Sequence, residues 1–156
     1  METSKQNDLT HYLAIDYGEN DVGLAIFKSG QDPYPLCFDT IRKLEKNSLY
    51  QKLFEIILSE DINHILIGIP YLTDGTSTQM TVKAQLFSQE FQTYLKNKIN
   101  NPPLITLRDE TLTSFEAKDR MLNSPMFNFK INYSKIDEIS ASIILEEYLN
   151  ELKSIK

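Results

Sequence analysis

The sequence predicts an α/β fold: a mixed five-stranded sheet, built from a three-stranded antiparallel meander plus parallel strands and flanked by helices. Three observations lead there. The N-terminal part holds three short apolar runs parted by turn formers, and the remainder alternates helix-period and strand-like segments. No linker, repeat or low-complexity block divides the 156 residues, so one domain over 1–156 is expected, with 1–10 as a flexible N-terminal tail.

Residues 11–15 and 22–27 are apolar runs on either side of Asp16-Tyr17-Gly18-Glu19-Asn20-Asp21, which reads as strand, tight turn, strand. Residues 34–40 supply the third strand. Asn47 is a suitable N-cap for a helix with Leu49, Leu53, Ile56 and Ile57 at helical spacing. That helix leads into HILIGIP (64–70), a continuous apolar run of the kind buried in parallel sheets. Thr76-Ser77-Thr78-Gln79 matches a capping box and opens a long helix with Ala84, Phe87, Phe91 and Leu95 on its core stripe. Pro102-Pro103 ends that segment, and 104–107 forms a strand. Thr113-Ser114-Phe115-Glu116 matches a second capping box, opening a helix to about Leu122. Residues 123–133 read as an irregular loop. Ser134-Lys135-Ile136-Asp137 starts the last helix, which Ile136, Ile139, Ile143, Ile144 and Tyr148 give a broad apolar surface.

Hydrophobic residues at 41% against 24% charged are enough for a core and exclude general disorder. No apolar run has the length of a signal peptide or a membrane span, so the cytoplasm is the expected location. One cysteine, Cys37, and two histidines, His11 and His64, exclude an internal disulfide, a cysteine-based zinc cluster and a His-rich site. Cys37 is expected to be a small buried hydrophobe, and His64 a strand-edge or surface residue. With 16 basic and 22 acidic residues the net charge is −6, so nucleic acid could be bound only through a local site.

Three acidic positions fall at ends of elements expected to converge: Asp16 after the first apolar run, Asp109-Glu110 after the strand at 104–107, and Asp137 in the first turn of the last helix. Carboxylates about 5 Å apart repel by roughly 3 kcal/mol per pair at an effective dielectric of about 20, so such a cluster needs a cation. Oxygen ligands without imidazole or thiolate select Mg2+ or Mn2+, which also bind phosphate oxygens. Each acid also has a structural reading. Asp16 could close an Asx turn, Asp109 and Glu110 could be solvated, and Asp137 could cap the helix with Ser134. Tyr17 should face away from Asp16 and pack in the core.

Taken together, LAIDYGENDVGLAI (13–26), ILIGIPYLTDGT (65–76), ITLRDETLTSFEA (105–117) and KIDEISASIILEEYL (135–149) resemble the YqgF family of RNase H-like nucleases, described as Holliday junction resolvases and pre-16S ribosomal RNA nucleases. The resemblance spans nearly the whole chain, in order. It implies an RNase H-like fold, a divalent metal, and phosphodiester hydrolysis at the 5′ end of pre-16S rRNA or on branched DNA. The expected partner is the small ribosomal subunit precursor. Carried over, the acids of the family fall on Asp16, Glu110 and Asp137, with Asp109 a substitute for Glu110.

This chain has Asp21 and Thr111 where the family usually has arginine. Compensating nucleic-acid contacts are expected from Arg108, Lys118, Arg120, Lys130 and Lys135, since 105–135 carries five basic and four acidic side chains. The losses motivate an alternative: a catalytically weak nucleic-acid-binding ribosome-assembly factor. A phosphotransferase of the actin and sugar-kinase type, suggested by Asp16-Tyr17-Gly18, would need a second such loop that the chain lacks. The oligomeric state, monomer or homodimer, is left open; a twofold junction substrate would suit a dimer.

Overall fold

Alternation along the first strand decides how the layers stack, because residues 12, 14 and 16 point to one face and 13, 15 and 17 to the other. The computed structural model describes residues 10–42 and 45–154. Their order is β1 (His11–Tyr17), β2 (Asp21–Lys28), β3 (Leu36–Arg42), α1 (Lys46–Ser59), β4 (His64–Ile69), α2 (Gln79–Lys98), β5 (Leu104–Asp109), α3 (Thr113–Leu122), a 3-10 turn (Pro125–Phe127) and α4 (Ile136–Ser154). The sheet order is β3-β2-β1-β4-β5. The first three strands form the antiparallel meander, while β4 and β5 run parallel to β1, as expected.

Leu13 and Ile15 of β1, Leu24 of β2 and Ile65 and Ile67 of β4 are fully buried against Leu53 of α1 and Phe91 and Leu95 of α2. Each such side chain contributes about 1.5–3 kcal/mol of burial free energy. Tyr17 joins this layer, stacking on Phe87 with ring centroids 4.4 Å apart. On the opposite face Ala14, Ala25 and Leu66 meet Ala141, Ile144 and Leu145 of α4. Two alanines on neighbouring strands let that helix sit close to the sheet, directly over the face that Asp16 shares.

Several local expectations are corrected. β1 continues to Tyr17 because Asp16 and Tyr17 still pair with Gly23 and Val22. β5 continues to Asp109, which pairs with Ile69. Asn47 lies inside α1, whose N-cap is Glu45. The capping box of α2 is formed by Thr78 and Thr81 rather than by Thr76 and Gln79, with a threonine hydroxyl doing what a glutamine would. Thr76 instead donates its N–H to Asp74. At α3 the N-cap is Leu112, and the Thr113 hydroxyl donates to the Glu110 carbonyl. Ser134 donates to Asn132, so it does not cap Asp137. Cys37 is exposed on β3, an edge strand. His64 is buried under the Tyr12 and Tyr148 rings and bonds Thr106 Oγ1 at 2.8 Å.

The expected tail lies outside the described residues except for Thr10, whose carbonyl accepts from Ser29 N–H and extends the β1–β2 pairing. No helix among the described residues is long and apolar enough to cross a membrane.

Candidate active site

One row of residues crosses the sheet on the α4 face: Gly23 of β2, Asp16 of β1, Gly68 of β4 and Arg108 of β5. Asp16 therefore stands between two glycines, and both omitted side chains make room for something. A β-carbon on Gly23 would overlap the backbone carbonyl of Asp137. One on Gly68 would lie 2.6 Å from Ile144 Cδ1 and 2.8 Å from Glu110 Oε2. The glycines thus seat the first turn of α4 on one side of Asp16 and the Glu110 carboxyl on the other.

Glu110 is placed by the end of β5. Its N–H donates to Ile69 O at 3.1 Å, and its carbonyl accepts both the N–H and the hydroxyl of Thr113 at 3.1 and 3.0 Å. This locks a tight turn across Thr111 and Leu112, and Leu112 has φ 73°. The turn directs the Glu110 side chain beneath the sheet edge, where it is 7% exposed, as is Asp16. The two carboxyl groups hydrogen-bond to each other. Burial, the Asp16 charge and that hydrogen bond push the Glu110 carboxyl far above the ordinary range. Burial also raises Asp16, while the bond from Glu110 partly offsets it. Both carboxyls are thus pushed toward their protonated forms, and the pair resists carrying two negative charges.

Asp137 stands at the start of α4, and its carboxyl is pushed up to about 6 by burial and by the negative charges of Asp16 and Asp21. The three acids expected to converge are thus electrostatically coupled, with Asp16 and Glu110 in direct contact. Among the described residues, however, no three acids or imidazoles stand at metal-ligand spacing, so Asp137 flanks the pair instead of closing a cluster with it. Asp109, named as a substitute for Glu110, is exposed on the other side of β5 and accepts from the Thr111 N–H and hydroxyl. Glu138, next to Asp137, is buried and pairs with Lys135 Nζ at 3.3 Å.

The expected basic contacts fare unevenly. Arg108 bonds Glu151 at 2.6 Å and lies over the Tyr148 ring, so it points along α4 away from the acids. Arg120 is held by Glu146 at 2.8 Å and Glu116 at 3.1 Å. Lys118 stands over the Tyr133 ring, and Lys130 has no ion partner among the described residues. The cation that does face the site is Arg42 of β3, whose Nη1 meets Asp21 Oδ2 at 3.0 Å. Sequence reading missed Arg42, Gly23 and Gly68. The glycines were legible: Gly inside a strand beside a functional residue marks a close backbone approach, and the tight turn sets Gly23 opposite Asp16.

A five-stranded sheet in this order, with one buried acid on its central strand and a second reaching it from the end of β5, places the molecule among RNase H-like folds of the RuvC type. T. thermophilus RuvC, solved in complex with Holliday junction substrate, matches with a TM-score of 0.58 at 8% identity, over 91% of this chain and 96% of that one. The yeast mitochondrial Holliday junction resolvase matches at 0.53 and 12% identity, over 94% and 85%. Residues 10–151 match the family described as RuvX, Holliday junction resolvase, and the chain belongs to that family, the one its four motifs resemble. Relatives named "Putative pre-16S rRNA nuclease" include those of Maridesulfovibrio salexigens, 31% identical over 88% of this chain and 96% of its own length, and Orientia tsutsugamushi, 33% identical over 92% and 86%.

Proposed function

We propose that the chain is a divalent-metal-dependent nuclease acting in the cytoplasm, that it processes the 5′ end of pre-16S rRNA on the small-subunit precursor, and that four-way DNA junctions are a second substrate. The observation that carries this reading is the buried Asp16–Glu110 pair. Two ionised carboxylates at hydrogen-bonding distance repel by roughly 5 kcal/mol at an effective dielectric of about 20, so the pair is stable only while sharing a proton or a cation. Its donor set is all oxygen, which fits Mg2+ or Mn2+; Asp16 and Glu110 are the residues that would hold the ion, with the Asp137 carboxyl flanking them. When bound, such an ion supplies activation of water and neutralisation of charge at phosphorus. The Thr113 bonds to the Glu110 carbonyl hold that backbone in place and so keep its carboxyl beside Asp16.

The test is cleavage of a 16S-precursor RNA and of a four-way junction, each in manganese and in EDTA, by the wild type and by Asp16→Asn. Manganese-dependent cleavage that Asp16→Asn abolishes without loss of folding supports the assignment; cleavage retained in that variant removes it. A second reading, a ribosome-assembly factor that binds without turnover, draws on the ion pairs that occupy Arg108 and Arg120. Binding in EDTA with no cleavage in manganese would select it.

A further inference from the structure

The acid end of the sheet is unusually negative. Asp16, Glu110 and Asp137 are joined by Asp21, which lies on the same face of β2 as Gly23 and raises the Asp137 carboxyl. A polyanion would approach four carboxyls, and a bound divalent cation alone leaves that floor acidic. One guanidinium stands there. Arg42 ends β3 directly opposite Asp21 in the antiparallel register, on the same face as the acids, and acts on Asp137 in the opposite sense to Asp21.

Two features separate this pair from an ordinary surface ion pair. First, it is monodentate: Arg42 gives Asp21 a single hydrogen bond from Nη1 and makes no other to the described residues. Its remaining N–H groups have no partner among the described residues, on a side chain that is 61% exposed, whereas the Asp21 side chain is only 26% exposed. Asp21 therefore anchors one edge of the fork and leaves the other for an incoming oxyanion, the geometry in which arginine binds phosphate well. Second, the other arginines near α4 are already engaged: Arg108 by Glu151, and Arg120 by both Glu116 and Glu146.

We infer that Arg42 is a phosphate-contacting residue of the site, held by Asp21 so that its free guanidinium edge receives a backbone phosphate of the nucleic acid next to the one at the acids. The inference rests on the nuclease reading above for its ligand, a nucleic-acid phosphate. It explains why an acid is tolerated at position 21. Asp21 does not repel the substrate directly, because its carboxylate is covered by the cation that meets the phosphate.

The experiment is equilibrium binding of a fluorescent four-way DNA junction, and separately of a 16S-precursor RNA, in EDTA across a salt series. It compares the wild type, Arg42→Ala, Arg42→Lys and the charge-relocated double variant Asp21→Arg/Arg42→Ala. A phosphate contact predicts that Arg42→Ala weakens binding by about tenfold and lowers the log–log salt slope by about one. Arg42→Lys should keep the slope while losing part of the affinity, and the double variant should regain the slope. Because the pair is exposed, melting temperatures should stay near the wild type. An unchanged affinity and slope in Arg42→Ala overturns the inference, as does an equal loss in the alanine and lysine variants. Failure of the nuclease reading looks different: there Arg42→Ala still binds more weakly than the wild type but the wild type does not cleave in manganese, or the wild type binds neither substrate.

Discussion

The carboxyl group of Glu110 occupies the space that a side chain on Gly68 would take: a β-carbon there would fall 2.8 Å from Glu110 Oε2. Gly68 is the parallel-register partner of Asp16, so one missing methyl group on β4 allows an acid from the end of β5 to reach an acid on β1. Gly68→Ala should therefore expel Glu110 from the pair. Overpacking of this kind costs about 1–3 kcal/mol, so the variant should fold, with a lowered melting temperature, and lose manganese binding by calorimetry. Gly23→Ala should be worse, because what it meets is the Asp137 backbone of α4, which cannot rotate away. If Gly68→Ala bound manganese as the wild type does, Glu110 would not be a ligand.

The acid pair should also set a stability–function conflict. In the metal-free protein at pH 8, Asp16→Asn or Glu110→Gln removes a buried charge conflict and should raise stability by about 1–2 kcal/mol. The same variants should lose the rise in melting temperature that magnesium or manganese gives the wild type, since a ligand stabilises only the state that binds it. A melt of the three proteins with and without millimolar manganese decides this. Equal metal-induced shifts in all three would place the ion elsewhere.

Asp137 makes a pH prediction whose sign can be worked out. Its folded carboxyl titrates at about 6, above the ordinary aspartate range near 4. Between those values the folded state holds a proton that the unfolded chain has lost, so this group's contribution is full below about pH 4 and disappears as pH rises through 6. His64 opposes it: burial lowers its imidazole, so acidification favours the unfolded chain through that group. The clean measurement is thus the difference between the wild type and Asp137→Asn in EDTA. Relative to the variant, the wild type should lose on the order of 2 kcal/mol between pH 4.5 and pH 7.5. A flat difference would mean that Asp137 is solvated and uncoupled from Asp16.

Strand and helix order were readable because period-2 and period-3.6 patterns are decided by burial, and both cores are extensive. Leu13 and Ile15 against Tyr12 and Ala14, and the Phe87–Phe91–Leu95 stripe, could be assigned to layers from spacing alone. Caps were less legible. Thr78–Thr81 does not have the usual Glu or Gln, and Thr113 spends its hydroxyl on Glu110 rather than on its own helix. The acids were picked out by position in the chain, but the choice between Asp109 and Glu110 depended on a two-residue extension of β5 that aims them oppositely. Cys37 and His64 were misplaced for a related reason. Burial of a lone polar or small residue depends on which strand lies at the sheet edge, and that is a property of topology, not of local pattern.

Leu112 carries the last prediction. It occupies the third position of the turn Glu110–Thr113 with φ 73° and ψ 3°, a left-handed conformation that costs a residue with a branched side chain on the order of 1 kcal/mol or more. The side chain is 62% exposed, so little burial offsets the strain. Glycine would remove it, though the unfolded chain would gain entropy worth about 0.5–1 kcal/mol. Leu112→Gly should thus be neutral to stabilising, by at most about 1 kcal/mol, and Leu112→Asn similar, both read by urea unfolding. Leu112→Val should be clearly destabilising, because β-branching is tolerated poorly in that region. Stability unchanged across all three would show that the turn relaxes freely. In that case Glu110 would owe its position to the Asp16 contact and not to the backbone that precedes α3.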